Sequence, residues 1–127
     1  MGSKVVSNSP KLAVGGPYNQ AVKSAGLIFC SGQAALRDGR VVDGTIQEQT
    51  RVTIENLAEV LKVSGSSLEK LVKVNIFLAD IDDFSAMNEV YKEILPHPMP
   101  ARTTVAAGQI PLQDKGIKIE IECIAAE

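Results

Sequence analysis

Apolar residues recur along this chain at two spacings, and the switches between them mark out its elements. Ile117-Lys118-Ile119-Glu120-Ile121-Glu122-Cys123 alternates without a break and reads as a strand with one buried face. Val72–Leu78 alternates in the same way, Leu27–Gly32 is a short apolar run of strand length, and Thr103–Ala107 reads as a further strand. Asp38-Gly39 is a hairpin-turn pair leading into Val41-Val42. The spacing lengthens after Thr45-Ile46-Gln47-Glu48, a capping box that predicts a helix start. Ile46, Ile54, Leu57 and Leu61 share one face of that helix, Glu48, Arg51, Glu55 and Glu59 lie off it, and Ser64-Gly65-Ser66-Ser67 ends it. Asp82 and Asp83 are the expected caps of a second helix with Phe84, Met87, Tyr91 and Ile94 on its apolar side.

Residues 1–17 are polar, punctuated by Gly15-Gly16-Pro17, and read as an extended lead-in. The prolines of Pro96-His97-Pro98-Met99-Pro100 stiffen a loop. The predicted order is β-β-α-β-α-β-β, an α/β two-layer arrangement in which two helices cover one face of a mixed sheet. Positions on the other face include Phe77, Ala79 and Ile124, too apolar to sit in water, so oligomerisation is expected.

Length and composition narrow this picture. The 127 residues fit a single domain, 1–127, with a proper core. Aromatics are only 4% and Trp is absent, so that core must be aliphatic. A net charge of −2 argues against a nucleic-acid partner, which a basic excess would favour. Two distant cysteines, Cys30 and Cys123, do not make a disulfide framework and read as buried free thiols in a reducing compartment. No apolar run reaches the ~20 residues needed to cross a bilayer, so no membrane role is expected. Met1-Gly2-Ser3 reads as a cloning remnant, and Val6 breaks the myristoylation pattern that it resembles. Cytosol is the default location. A mitochondrial mature form stays open, because a removed targeting segment would leave no trace.

Metal chemistry is poorly supported, since His97 is the only histidine and sits in the proline-rich loop, where an exposed role is expected. No GxGxxG, GxxxxGK or GxSxG pattern occurs. Three polar features remain. Arg102 follows the rigid loop and opens an apolar strand, where a guanidinium can take a carboxylate bidentately, although a solvated surface arginine accounts for it as well. Glu120 and Glu122 share a strand face, which is a plain polar surface unless another subunit covers it. Tyr18, beside the Gly16-Pro17 kink, either packs its ring or points its hydroxyl into a cleft.

Together these residues resemble one family. Gly16-Pro17-Tyr18 with Gln20, Ser31-Gly32-Gln33, Asn56-Leu57, Val74–Asp80, Asn88 with Tyr91, Pro100-Ala101-Arg102 and Ile119-Glu120-Ile121-Glu122 match the pattern of the RidA/YjgF reactive intermediate deaminases. The match runs in order from about residue 7 to the C-terminus, and Val74–Asp80 is closest in wording to fungal members, which occur in both cytosol and mitochondria. The resemblance implies a chorismate-mutase-like fold, a homotrimer with clefts between subunits, and hydrolysis of 2-aminoacrylate-type enamines and imines to 2-keto acids and ammonia without a cofactor. It gives Arg102 the substrate carboxylate and Glu120 the water. Tyr18, the Ser31 and Gly32 backbone, and Asn88 complete the implied site. Many members have cysteine where this chain has Thr104, and its contribution is expected to come mostly from the backbone. The rival readings are a non-catalytic module that binds carboxylate metabolites, and a ribonuclease or translation inhibitor. The acidic balance and single histidine argue against the latter.

Overall fold

The computed structural model describes residues 3–127, so Met1 and Gly2 of the expected remnant lie outside the described residues. Six strands form one sheet in the order β1-β2-β3-β8-β6-β7: β1 Val5–Ser7, β2 Ala21–Ser24, β3 Leu27–Ala34, β6 Leu71–Leu78, β7 Ala101–Ala106 and β8 Ile119–Ala126. Only β6 and β7 run parallel, joined by the crossover helix α2, Phe84–Ile94; the other neighbours are antiparallel. Helix α1, Ile46–Val63, packs beside α2 on the same sheet face. The expected two-layer α/β fold is therefore present.

The core fills the space between that face and the helices. The alternation of β8 places Ile119, Ile121, Cys123 and Ala125 inward, and β6 adds Val74, Ile76 and Leu78. Ile54, Leu57, Val60 and Leu61 of α1 and Met87 and Tyr91 of α2 close over them. The core is indeed almost wholly aliphatic. Cys30 and Cys123 are both free and buried, facing one another across β3 and β8. No helix among the described residues is long and apolar enough to cross a membrane.

Local chemistry explains the element ends. Thr45 Oγ1 accepts from the Glu48 amide at 3.1 Å, completing the N-terminal half of the capping box. At the other end Gly65 takes φ +85° and the Ser66 amide donates to the Leu61 carbonyl at 2.8 Å, the double-bonded glycine stop. Asp38 and Gly39 both have positive φ, the turn that joins the short β4, Leu36–Arg37, to β5, Arg40–Val41.

Several expectations are corrected. The extended lead-in includes a strand that was not expected: Val5–Ser7 pairs with Ala21–Ser24, a second unexpected strand, and at three and four residues neither is long enough to show in the polar-apolar pattern. The buried Gln20 amide secures this segment, accepting from Ser9 N at 2.6 Å and donating to Leu12 O at 2.9 Å. The second helix is preceded by a single turn, Ile81–Asp83, whose cap is Asp80, accepting from Asp82 N; neither Asp82 nor Asp83 caps α2 through its side chain. Strand β7 begins at Ala101, and Ile117 is buried ahead of β8, held by its amide to Leu112 O.

Gln49, wholly buried in α1, ties the helix to the loop before β8. Its Nε2 donates to the Val42 and Gly116 carbonyls at 3.0 and 2.8 Å, and its Oε1 accepts from Lys118 N at 2.8 Å. Gln49→Leu keeps the volume and strands three backbone groups. It should lower stability by about 2–4 kcal/mol, read as a shifted urea midpoint with an unchanged m-value.

Candidate active site

Strand alternation divides the candidate residues between two clefts on opposite sheet faces. In the β6–β7 register Val74 pairs with Arg102 and Ile76 with Thr104, so Arg102 and Thr104 project toward the helices. Glu120 and Glu122 pair with Phe77 and Asn75 and project from the uncovered face. Within one subunit Arg102 and Glu120 do not meet.

The first cleft is lined by Asn88, Tyr91, Lys92, Met99, Pro100 and Arg102. Arg102 is half-buried, and its Nη1 donates to Asn88 Oδ1 at 2.7 Å. None of the three ion pairs among the described residues involves it. A half-buried guanidinium whose side-chain hydrogen bond goes to a neutral amide keeps its charge available for an anion. Thr104 lies two residues further along β7, but its Oγ1 is buried without a protein hydrogen-bond partner and does not line the cleft.

The second cleft gathers Gly15, Tyr18, Ser31, Gly32, Pro111, Glu120 and Glu122. It is built on a bulge. Between Cys30↔Cys123 and Gln33↔Ile121 strand β3 carries one residue more than β8, so Ser31 and Gly32 together oppose Glu122. Ser31 is fixed at both ends, its amide donating to Gln20 O at 2.9 Å and its Oγ to Asn19 O at 2.7 Å. The Glu120 carboxyl lies over Gly32, where a Cβ would fall 2.7 Å from Glu120 Oε1. Gly16 serves Tyr18 likewise, since a Cβ there would meet the ring at 2.9 Å. Tyr18 itself is 48% exposed, so its ring is not a core anchor.

The two glutamates are chemically unequal. Asn75 Nδ2 donates to Glu122 Oε1 at 3.2 Å. Glu120 has no such partner, and burial, with the Glu122 charge behind it, pushes its carboxyl above the ordinary range. His97 is exposed, and no group of three or more His, Cys, Asp or Glu among the described residues could hold a metal. Tyr91, Lys92, Met99 and Pro111 were not singled out as site residues by sequence. Tyr91 was placed on the apolar side of its helix, and only the contact with Arg102 reveals more.

Beyond the clefts, the uncovered sheet face is apolar around Phe29, paired with Ile124, and around Val105, paired with Phe77. Phe29 and Val105 are 42% and 43% exposed. Phe77 and Ala79, expected to lie bare, are half-covered within the subunit by a second small cluster containing Ile110 and Ile117.

The two-layer fold is shared with known proteins. The family model described as Endoribonuclease L-PSP matches residues 8–127. The chain is 82% identical over 125 residues to "Protein mmf2, mitochondrial" of Schizosaccharomyces pombe, covering 98% of this chain and 99% of that protein. It is 38% identical over 126 residues to the 2-iminobutanoate/2-iminopropanoate deaminase of Mus musculus, covering 98% and 91%. The E. coli TdcF structure with bound serine superposes with a TM-score of 0.87 at 29% identity, covering 97% and 98%. This chain belongs to the Endoribonuclease L-PSP family, which includes the RidA-type reactive intermediate deaminases.

Gly32→Ala should displace the Glu120 carboxyl, and Glu120→Ala should relieve the conflict. A double-mutant cycle by urea unfolding is expected to give a coupling of about 0.5–3 kcal/mol, with the double variant more stable than the sum of the single ones implies.

Proposed function

We propose that the protein is an imine deaminase that hydrolyses 2-aminoacrylate-type enamines and imines to 2-keto acids and ammonia, in clefts completed by neighbouring subunits of a homotrimer. The observation that carries this reading is the split itself. One sheet face offers a half-buried guanidinium outside any ion pair, and the other a proton-hungry carboxyl lying over a glycine of the β3 bulge. Each is half of a site for a small molecule with one carboxylate and one reactive C–N centre. A second copy docked on the apolar outer face would bring the halves together, and the exposed Phe29 and Val105 supply the driving force.

The chemistry asks for little. The enamine tautomerises to the imine, and water adds to the imine carbon as the C=N π bond passes to nitrogen. One proton of the water moves to nitrogen by way of Glu120 to give the carbinolamine; the remaining hydroxyl proton then follows the same route to nitrogen as the C–N bond breaks, so that ammonia leaves and the carbonyl forms. Arg102 fixes the carboxylate so that the imine carbon sits over Glu120, while the Ser31–Gly32 bulge and Tyr18 shape the wall. Glu122, already engaged by Asn75, is left to raise the proton affinity of its neighbour. Thr104 contributes through its backbone.

The name of the mouse relative supports this substrate class, and the serine bound to TdcF supports an amino-acid-sized carboxylate ligand. The mitochondrial name of the 82% identical relative supports a mitochondrial location. RNA cleavage, suggested by the family description, is less well served: the net charge is −2 and the one histidine lines neither cleft.

Light scattering should give about three times 13.5 kDa. Keto-acid release from 2-aminoacrylate generated in situ tests the reaction. Glu120→Gln is expected to lose activity by about 10²–10⁴-fold, and Glu122→Gln to keep most of it. A dead Glu122→Gln beside a healthy Glu120→Gln reverses the assignment; normal turnover in both removes carboxylate-assisted water attack. A wild-type protein that binds 2-keto acids without turning over any imine would be the binding module instead.

A further inference from the structure

Arg102 is held by more than Asn88. Phe84, Asn88 and Tyr91 follow one another on α2 at steps of four and three, which puts all three on one helical face. The guanidinium carbon lies 4.7 Å from the Tyr91 ring centroid and 5.6 Å from that of Phe84. Both distances are within the range in which a cation is attracted to a ring face. The Tyr91 ring belongs to the core, 6% exposed, so it forms a fixed floor. Its hydroxyl is buried with no partner at good hydrogen-bond geometry, and the nearby Arg102 cation acts on the phenol oxygen as well as on the ring, so ring and hydroxyl have to be separated by substitution.

We propose that Phe84 and Tyr91 are positioning residues that, with Asn88, cradle the Arg102 guanidinium and hold it ready for the substrate carboxylate. The inference rests on the reading of Arg102 as carboxylate anchor and adds the means by which the anchor is set. An arginine side chain has large rotamer freedom, and whatever freezes it before the ligand arrives lowers the cost of binding. A carboxylate could freeze it too, but would neutralise the charge and occupy the fork. Two ring faces and one amide oxygen hold the cation while leaving it unneutralised and with free N–H groups. The neutrality of the cradle is what suits it to an anion site.

The probe is 2-oxobutanoate, a product-class keto acid, titrated into ¹⁵N-labelled protein while the Arg102 side-chain N–H signal is followed. Binding needs no turnover, so the measurement is independent of the deaminase assay. In the wild type the signal should carry the ring-current displacement of a proton near aromatic faces and should move on binding. Tyr91→Phe, which keeps the ring, should bind within about twofold of the wild type. Tyr91→Leu should lose much of the displacement and bind roughly 3- to 30-fold more weakly, the range expected for a partly desolvated cation–ring contact. Phe84→Leu alters a more exposed ring further away and should weaken binding by about 2- to 5-fold; it carries the test if Tyr91→Leu does not fold.

A folded Tyr91→Leu, or in its absence Phe84→Leu, that binds as the wild type does would overturn the cradle and leave the Arg102 reading intact. Weakening in Tyr91→Phe equal to that in Tyr91→Leu would overturn it also, because the hydroxyl and not the ring would matter. Failure of the wild type to bind 2-oxobutanoate at all would remove the Arg102 reading itself.

Discussion

Successive side chains on a strand point to opposite faces, and in this sheet that constraint separates the two groups proposed to act on the substrate. Arg102 sits in register with core residue Val74, and Glu120 in register with Phe77 on the far face. No rotamer of either side chain carries it through a sheet packed on one side with Ile76, Ile119 and Ile121. On the proposed function these are two half-sites, and each is finished locally. A helix face holds the arginine, and a bulge with a glycine makes room for the glutamate.

The same constraint explains why the outer face carries apolar residues that a monomer has no use for. Phe29 and Val105 flank the glutamate row without covering it, so an approaching subunit can bury apolar area while leaving the carboxyls lining a cleft. Glu120 is already half out of water, and its raised proton affinity follows from that placement together with the neighbouring Glu122. A carboxyl in that setting suits proton transfer near neutrality better than a solvated one does.

Much of this was legible in the sequence wherever periodicity was long. Ile117 to Cys123 alternate cleanly between apolar and polar, so the inward and outward sets of that stretch were readable. The Thr45 capping box and the Asp38-Gly39 turn carried their own local chemistry. Strands β1 and β2 were illegible because three or four residues give too little pattern to separate from a loop. The face of Arg102 was illegible for another reason. Ala101-Arg102-Thr103-Thr104-Val105 offers neither phase a clear apolar set, and only pairing with β6 decides it. Tyr91 was placed on the apolar side of its helix correctly, but its second role depends on a strand seven residues past the helix end. The family resemblance named Arg102, Glu120, Ser31 and Gly32 together, and within one subunit Arg102 stands in a different cleft from the other three.

That division is open to one direct measurement. Arg102→Ala and Glu120→Gln are each expected to be inactive alone. Co-refolded in equal amounts, they should form mixed trimers of the proposed assembly. Every mixed trimer contains one interface that joins an intact Arg102 from one chain to an intact Glu120 from its neighbour. Random mixing should then restore about a quarter of wild-type activity in a closed three-fold ring. If the mixture stays as inactive as its parents although mixed trimers have formed, the two residues act within a single chain or not at all, and the shared-cleft account is contradicted.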